Sequence, residues 1–284
     1  APSSRKSMSF WAARSIWALG EGVRVLGASY VTDSTQLRPV LDRAIARLAR
    51  EVSAGRLIGG SVTTTSEALL GLLALHRAEP SEKLAALAAR TAELLVPPPR
   101  ARGSETSAPW GARVDRPDAS WHAWGARSVT ALAEAGVVLN RPDFVVAARQ
   151  EADGLWGRFL LAGQVASAVS PDGAVTWYPQ IAYGVGNIVE GYVALAEATG
   201  ERRYAVFAGL TAGWFTGANA AKVSMYDERL GRTFDGIDGP SAGQVNRNAG
   251  AESTVEALLA LQRVAADPDA SRYMRYRLEG GADP

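Results

Sequence analysis

Residues 214–261 read WFTGANAAKVSMYDERLGRTFDGIDGPSAGQVNRNAGAESTVEALLAL. Most of this segment is rich in Gly, Asn, Asp and aromatic residues, and it separates the end of one apolar helical pattern from the start of another. Connections of this length inside compact domains are uncommon unless they carry a function. The carboxylates and amides of the segment, together with Tyr226 and Arg247, are typical of a surface that hydrogen-bonds a polyhydroxylated ligand.

The end of the segment predicts a helix start. Asn248 is expected to cap the helix that follows, in which Val255, Leu258 and Leu261 recur at helical spacing. Glu252 then lies in the first turn, where the helix macrodipole favours a negative charge. The alternative is an ordinary capped helix with no part in any chemistry.

Apolar residues recur at steps of three and four along most of the chain, which predicts about nine or ten helices and no strands. Helical hairpins laid side by side form either an open solenoid or a closed ring of inner and outer helices. The Gly- and Ala-rich helices are expected to be the inner ones, and the loops that precede them are expected to gather at one end of the ring. These inner helices begin near Ser9, Thr65, Trp121, Ile181 and Ala249. We therefore predict an all-α toroid of helical hairpins, with residues 1–284 forming one domain.

The composition excludes several classes of protein. The chain has 30 basic and 29 acidic residues, so a net charge of +1 gives no general attraction to nucleic acid or to an anionic membrane. It has no cysteine and only two histidines, His76 and His122, so neither a thiolate nucleophile nor a metal centre is expected.

The sequence shows no run of about eighteen apolar residues, so no membrane span is expected. Its first residues lack the apolar region of a signal peptide, which favours a cytoplasmic location. The alternative is a signal peptide cleaved before Ala1.

Candidate site residues lie on or beside the predicted loops. The candidate acids are Asp118, Glu190, Asp227, Asp235 and Glu252, with Glu21 as a further candidate. The candidate substrate contacts are Trp121, His122, Trp124, Trp177, Tyr178, Tyr183, Tyr226, Asn246 and Asn248. Glu190 is expected one turn inside a helix whose start offers Trp177, Tyr178 and Tyr183.

Each group of candidates also has a structural interpretation. Trp121 and Trp124 fit the buried face of a helix capped by Asp118. Asp227 and Asp235 fit the role of turn residues that bind backbone amides. Glu21, between two glycines, fits either a surface position or a carboxylate given room in a cavity.

Three segments resemble a known family. Residues 213–237 and 245–262 are similar to the C-terminal signature of the bacterial six-hairpin, (α/α)6-toroid glycosidase-like proteins, which are often found beside glycosyltransferases; they read GWFTGANAAKVSMYDERLGRTFDGI and VNRNAGAESTVEALLALQ. SFWAARSIWALGEGVRVL at residues 9–26 resembles an early segment of the same family. The chain departs from the family at Arg232, where a glycine is usual, and at Ala249, where a glutamine is usual. The predicted helices are also about two or three short of twelve, so a hairpin is absent or the ring is incomplete.

The resemblance implies a carbohydrate-active toroid with its site where the loops meet, an oligosaccharide or polysaccharide substrate, and a glycosyltransferase as a candidate partner. No cofactor is expected. A glycoside hydrolase would need a proton-donating acid and a second carboxylate, for which Asp235 and Glu252 are the favoured pair.

Two other functions stay open. A lyase or epimerase would need a base, here His122, Tyr178 or Tyr183, and polar residues near Asn246 to neutralise a uronate. A non-catalytic sugar-binding protein would need aromatic and amide side chains only. A net positive mouth would favour the lyase or epimerase, whereas two or more acids there would favour the hydrolase.

Overall fold

The computed structural model describes residues 7–27, 37–97, 112–114 and 120–275. The chain is mostly helical, as predicted. The helices are α1 (Phe10–Leu26), α2 (Leu37–Val52), α3 (Val62–Ala78), α4 (Glu82–Leu95), α5 (Arg127–Val138), α6 (Pro142–Glu151), α7 (Gly157–Leu161), α8 (Ala182–Thr199), α9 (Arg202–Ala212), α10 (Ala251–Ala266) and α11 (Pro268–Met274). A π-helical turn, Ala152–Trp156, joins α6 to α7.

The structure also has short strands that the sequence did not predict. They are β1 (Trp121–His122), β2 (Ala168–Val169), β3 (Val175–Thr176), β4 (Gln180–Ile181), β5 (Tyr226–Asp227), β6 (Arg232–Thr233), β7 (Gly236–Ile237) and β8 (Val245–Asn246). All pair antiparallel, in sheets of order β1-β2-β3, β4-β7-β8 and β5-β6. Strands of two residues are too short to show the alternation by which a strand is recognised.

Five of the described helices line the inside of the molecule, and they are the helices that the sequence placed there. Helix α1 packs on α3, α3 on α5, α5 on α8, and α8 on α10, while α2, α4, α6, α9 and α11 lie outside them. In α3 every residue from Val62 to Leu75 is buried, and in α8 every residue from Ala182 to Leu195. A helix buried all round belongs to the interior, whereas the outer α2 exposes one face to solvent.

The inner helices run in the same direction. Arg14 of α1 contacts Glu67 of α3, and further along the same pair Gly20 lies against Gly71. A Cβ on Gly20 would lie 2.5 Å from the carbonyl oxygen of Gly71, so the absence of side chains lets these two helices touch. We call the end at which the inner helices begin the mouth.

The loops that precede the inner helices are fixed at the mouth by side chains. Ser61 caps α3 by accepting from Thr64 N at 3.2 Å. Asp235 joins two helix starts: its backbone oxygen accepts from Ala182 N at 2.9 Å, and its carboxylate accepts from Ser253 Oγ and from Gly250 N. Asn248 does not cap α10, contrary to the prediction, because Gly250 is the N-cap residue and no side chain accepts a capping hydrogen bond there.

The helix predicted around Trp121 and Trp124 begins later than expected. Trp121 belongs to β1, Trp124 to a 3-10 turn (Ala123–Gly125), and α5 starts only at Arg127. Pairing of Trp121 with Val169 in the neighbouring strand holds this segment extended. Asp118, the predicted cap of that helix, lies outside the described residues.

Candidate active site

A cluster of charged side chains fills the inside of the toroid near the mouth. Each inner helix contributes one member, and together they form what we call the central cluster: Arg14 (α1), Glu67 (α3), Arg127 (α5), Glu190 (α8) and Glu256 (α10). Four of the five are buried, and the Arg14 side chain is 24% exposed. Because every inner helix starts at the same end, residues in their first two or three turns converge here.

Arg127 is the centre of the cluster. It is fully buried and donates to Glu190 Oε2 at 2.9 Å and to Glu256 Oε2, while its Nε lies 3.3 Å from Glu67 Oε1. Its guanidinium also lies over the ring of Trp17, 4.9 Å from the centroid. Burial opposes the charge of Arg127, but Glu190, Glu256 and Glu67 outweigh that effect and raise its pKa well above the ordinary value.

Arg14 extends the cluster toward solvent. It donates to Glu256 Oε1 at 2.8 Å and to Glu67 Oε1 at 3.4 Å, and it lies 3.8 Å from Glu252 Oε1. Its guanidinium lies 5.0 Å from the ring centroid of Phe10 and 5.3 Å from that of Tyr183. Since Glu252 is 62% exposed, Arg14 links the buried carboxylates to one that solvent reaches.

The central cluster has more negative than positive groups. Its two arginines face three glutamates, and Glu252 adds a fourth at the rim. Burial raises the pKa of Glu67, and it also raises the pKa of the Tyr183 hydroxyl, which donates to Glu67 Oε1 at 3.4 Å. The helix N-termini at the mouth compensate part of the negative charge.

An aromatic pair lies at the mouth beside the cluster. His122 and Trp124 stack with centroids 4.3 Å apart, and the Trp124 side chain is 38% exposed. The turn that carries them packs on the start of α8, where a Cβ on Gly184 would lie 2.9 Å from Ala123 Cβ. Asn187 of α8 fixes the turn by donating to the Trp124 carbonyl at 3.2 Å. An exposed indole face of this kind suits a sugar ring.

Glu151 anchors this aromatic segment from behind. Its carboxylate accepts from the indole N–H of Trp121 and from the hydroxyl of Ser128, both at 2.9 Å. Burial raises the pKa of Glu151 to about 7, and the hydrogen bonds from Trp121 and Ser128 offset only part of that effect. Glu151 thus ties the strand before Arg127 to the helix that begins with it.

The structure places the predicted acids at different positions and in different roles. Glu252 lies at the rim of the central cluster and Glu190 lies within it, although Glu190 is two turns into α8 rather than one. Asp235 holds helix starts together, and Asp227 closes the β5–β6 turn by accepting from Leu230 N at 3.1 Å. Glu21 pairs with Arg24 on the surface of α1, and the helix continues through Gly20, Glu21 and Gly22 without a turn.

The predicted aromatic residues divide in the same way. Tyr183 lies in the central cluster, and His122 and Trp124 lie beside it. Trp121 is buried against Phe159, Trp177 packs edge-on against the same Phe159 ring, and Tyr178 donates to Gln164 Oε1 at 3.3 Å. Three further predicted contacts lie on the segments before α10: Tyr226 in β5, Asn246 in β8 and Asn248 just after it.

Sequence reasoning missed Arg14, Glu67, Arg127 and Glu256. A charged residue in an amphipathic helix usually marks the solvent face, and each of these stands in a helical pattern. The sequence nevertheless contained a sign that Glu67 and Glu256 belong to the site, because both lie in the first two turns of helices predicted to be inner ones. Arg127 follows the turn of Trp124, and its partners are 63 and 129 residues away in the chain.

Two further observations concern ligands. Within the described ranges, no group of three His, Cys, Asp or Glu residues is arranged to hold a metal ion, and no helix is both long and apolar enough to cross a bilayer. A groove of about 1390 Å³ lies on the outside, between the end of α4 and helices α6, α7 and α9, and its lining is mainly apolar. It is lined by none of the central cluster residues.

Comparison with known proteins establishes the fold. No family model matches the sequence, and the search of curated proteins gave no match. Among solved structures, the unsaturated glucuronyl hydrolase from Bacillus sp. GL1 is similar with a TM-score of 0.64 at 17% identity, over 91% of this chain and 71% of that one. Cellobiose 2-epimerase from Bacillus thermoamylovorans B4167 gives 0.65 at 14% identity, over 92% and 72%.

A third similar structure is the GH76A alpha-1,6-mannanase from Salegentibacter sp. HEL1_6, with a TM-score of 0.55 at 13% identity, over 91% of this chain and 89% of that one. All three are six-hairpin (α/α)6 toroids, so the predicted fold is confirmed. At these identities the likeness concerns the fold, and function has to be argued from the site.

Proposed function

We propose that this chain is a carbohydrate-active enzyme of the glycoside hydrolase type, with its site at the mouth of the toroid. The observation that carries the proposal is that Glu252 and Glu256 both contact Arg14, at 3.8 and 2.8 Å. Residues four apart on a helix have Cβ atoms about 5–6 Å apart. Carboxylate pairs that flank a scissile glycosidic bond lie about 5–5.5 or 6.5–9.5 Å apart, and two glutamates on one helix face that share a guanidinium lie near enough to form such a pair.

The two glutamates differ in exposure and in the arginines that contact them. Hydrolysis of an acetal needs one acid to protonate the leaving oxygen and a second carboxylate to act on the anomeric carbon or on water. Glu252 is the one that solvent and a leaving oxygen can reach, and we assign it as the proton donor. Glu256 is buried and contacted by both Arg14 and Arg127, which balance its negative charge, and it serves as the second carboxylate.

The charge of the central cluster and its rim favours this reaction over a lyase or an epimerase acting on a uronate. Such chemistry needs a positive site that neutralises the substrate carboxylate. Here four glutamates face two arginines, and each arginine already contacts carboxylates. A sugar that stacks on the exposed face of Trp124 would meet an acid-rich site.

The proposal is tested with the variants Glu252→Gln and Glu256→Gln, with Glu21→Gln as a matched surface control on α1. Turnover of a panel of oligosaccharides is measured, together with binding and circular dichroism. We expect loss of turnover of about a hundredfold or more in either site variant, with binding retained and the control unchanged. Unchanged turnover in both site variants would overturn the proposal.

The acid favoured from sequence, Asp235, is tested in the same screen by Asp235→Asn. We expect a smaller loss, because Asp235 acts on the helix starts that carry the site rather than on the substrate. The cytoplasmic location, the glycosyltransferase partner and the single domain over residues 1–284 stay predictions.

A further inference from the structure

Buried acceptors near the central cluster have no hydrogen-bond partner among the described residues. They are Glu67 Oε2, Glu190 Oε1 and Asn187 Oδ1. All three side chains are at least nine-tenths buried, and each uses its other polar atom within the site, on Arg14, Arg127 and the Trp124 carbonyl respectively. Buried acceptors are ordinarily satisfied, and a ligand that brings hydrogen-bond donors would satisfy these three.

The charges of the cluster lead to the same conclusion. Arg14 and Arg127 leave one of the three cluster glutamates without a compensating charge. An uncompensated charge in a protein interior costs several kcal/mol.

We propose that the site takes a sugar that carries a free amino group, whose ammonium binds between Glu67, Glu190 and Asn187. This inference rests on the proposed function and specifies its substrate class. An ammonium supplies three donors and one positive charge, which match the unpartnered acceptors and the missing charge. A hydroxyl supplies one donor and no charge.

The surroundings of the cluster fit a cation as well. Both guanidiniums already lie over aromatic rings, Arg127 over Trp17 and Arg14 over Tyr183. This environment therefore already accommodates positive charge. Asn187 lies one turn from Glu190 on the same face of α8, so one ammonium can reach both side chains.

The test compares sugars that differ in one substituent. Binding of glucosamine, galactosamine and mannosamine to the wild-type protein is measured by titration calorimetry and saturation-transfer NMR, each against the hydroxyl sugar and the N-acetyl sugar of the same ring. In at least one series we expect the free amine to bind about tenfold to a hundredfold more tightly, the effect of a hydrogen bond to a charged group. Added salt should reduce this preference.

The variants Glu190→Gln and Glu67→Gln should each reduce the preference for the amine, while Glu21→Gln should leave it unchanged. Equal or tighter binding of the hydroxyl sugar in all three series overturns the inference and leaves the proposed function standing. Absence of both binding and turnover for every neutral, cationic and anionic sugar would overturn the two together. The wild-type comparison decides the matter even where a variant fails to fold.

Discussion

Replacement of Glu151 by glutamine should remove a pH-dependent loss of stability from this protein. The pKa of Glu151 rises from 4.5 to about 7 on burial. The native state therefore binds more protons than the unfolded state between these values, and the stabilisation present below pH 4.5 is lost as pH rises to 7. At about 1.4 kcal/mol per pKa unit the loss is about 3 kcal/mol. A glutamine does not titrate, so the variant lacks this loss.

The assay is urea-induced unfolding of both proteins from pH 4.5 to pH 8. Other carboxylates titrate in the same range, but they are common to both proteins and cancel in the difference. The unfolding free energy of the wild type minus that of Glu151→Gln should fall by about 3 kcal/mol across the series. A Glu151→Gln difference that stays constant within about 0.5 kcal/mol would refute the reasoning.

Three further predictions concern the inner helices and the mouth. Gly20→Ala should lower the unfolding free energy by about 1–3 kcal/mol, because the added Cβ would meet the Gly71 carbonyl. Gly22→Ala, with open space around it, should be neutral or stabilising by up to about 1 kcal/mol. Denaturant unfolding of the two variants checks this. Arg127→Met should destabilise the protein by about 3–5 kcal/mol, because it leaves Glu190 and Glu256 without their buried partner. Calorimetry should therefore show a lower Tm. An unchanged Tm would argue against a cluster held together by Arg127. Trp124→Ala should raise KM for an oligosaccharide about tenfold with little change in Tm. Replacement of the exposed Trp11 by alanine should leave KM unchanged. Equal effects of the two substitutions on KM would show that Trp124 is not part of the site.

The inner helices could be predicted from sequence because their Gly and Ala content reports close packing directly. Gly20 and Gly71 show this most clearly, since each lies where a side chain would collide with the neighbouring helix. The position of the mouth followed from the lengths of the loops. Both inferences use information that lies within one segment of the chain.

The chemistry of the centre could not be predicted in the same way. Arg127 binds Glu190 and Glu256, and which distant residues meet depends on the rotation of three helices about their axes. Asp235 was expected as a catalytic acid, yet its sequence pattern serves equally for a residue that binds the side chain of a helix from another segment. Asn248 shows that good capping propensity does not fix a helix start, because α10 begins two residues later, with Gly250 as its N-cap.

The central claim is that sugar binds at the mouth, and the most direct measurement is a crystal structure of the Glu252→Gln variant soaked with an oligosaccharide that the wild type turns over. We predict density for the sugar against Trp124, within hydrogen-bonding distance of Arg14 and of residue 252. Density confined to the outer groove between α4, α6, α7 and α9, with the mouth empty, would contradict the account.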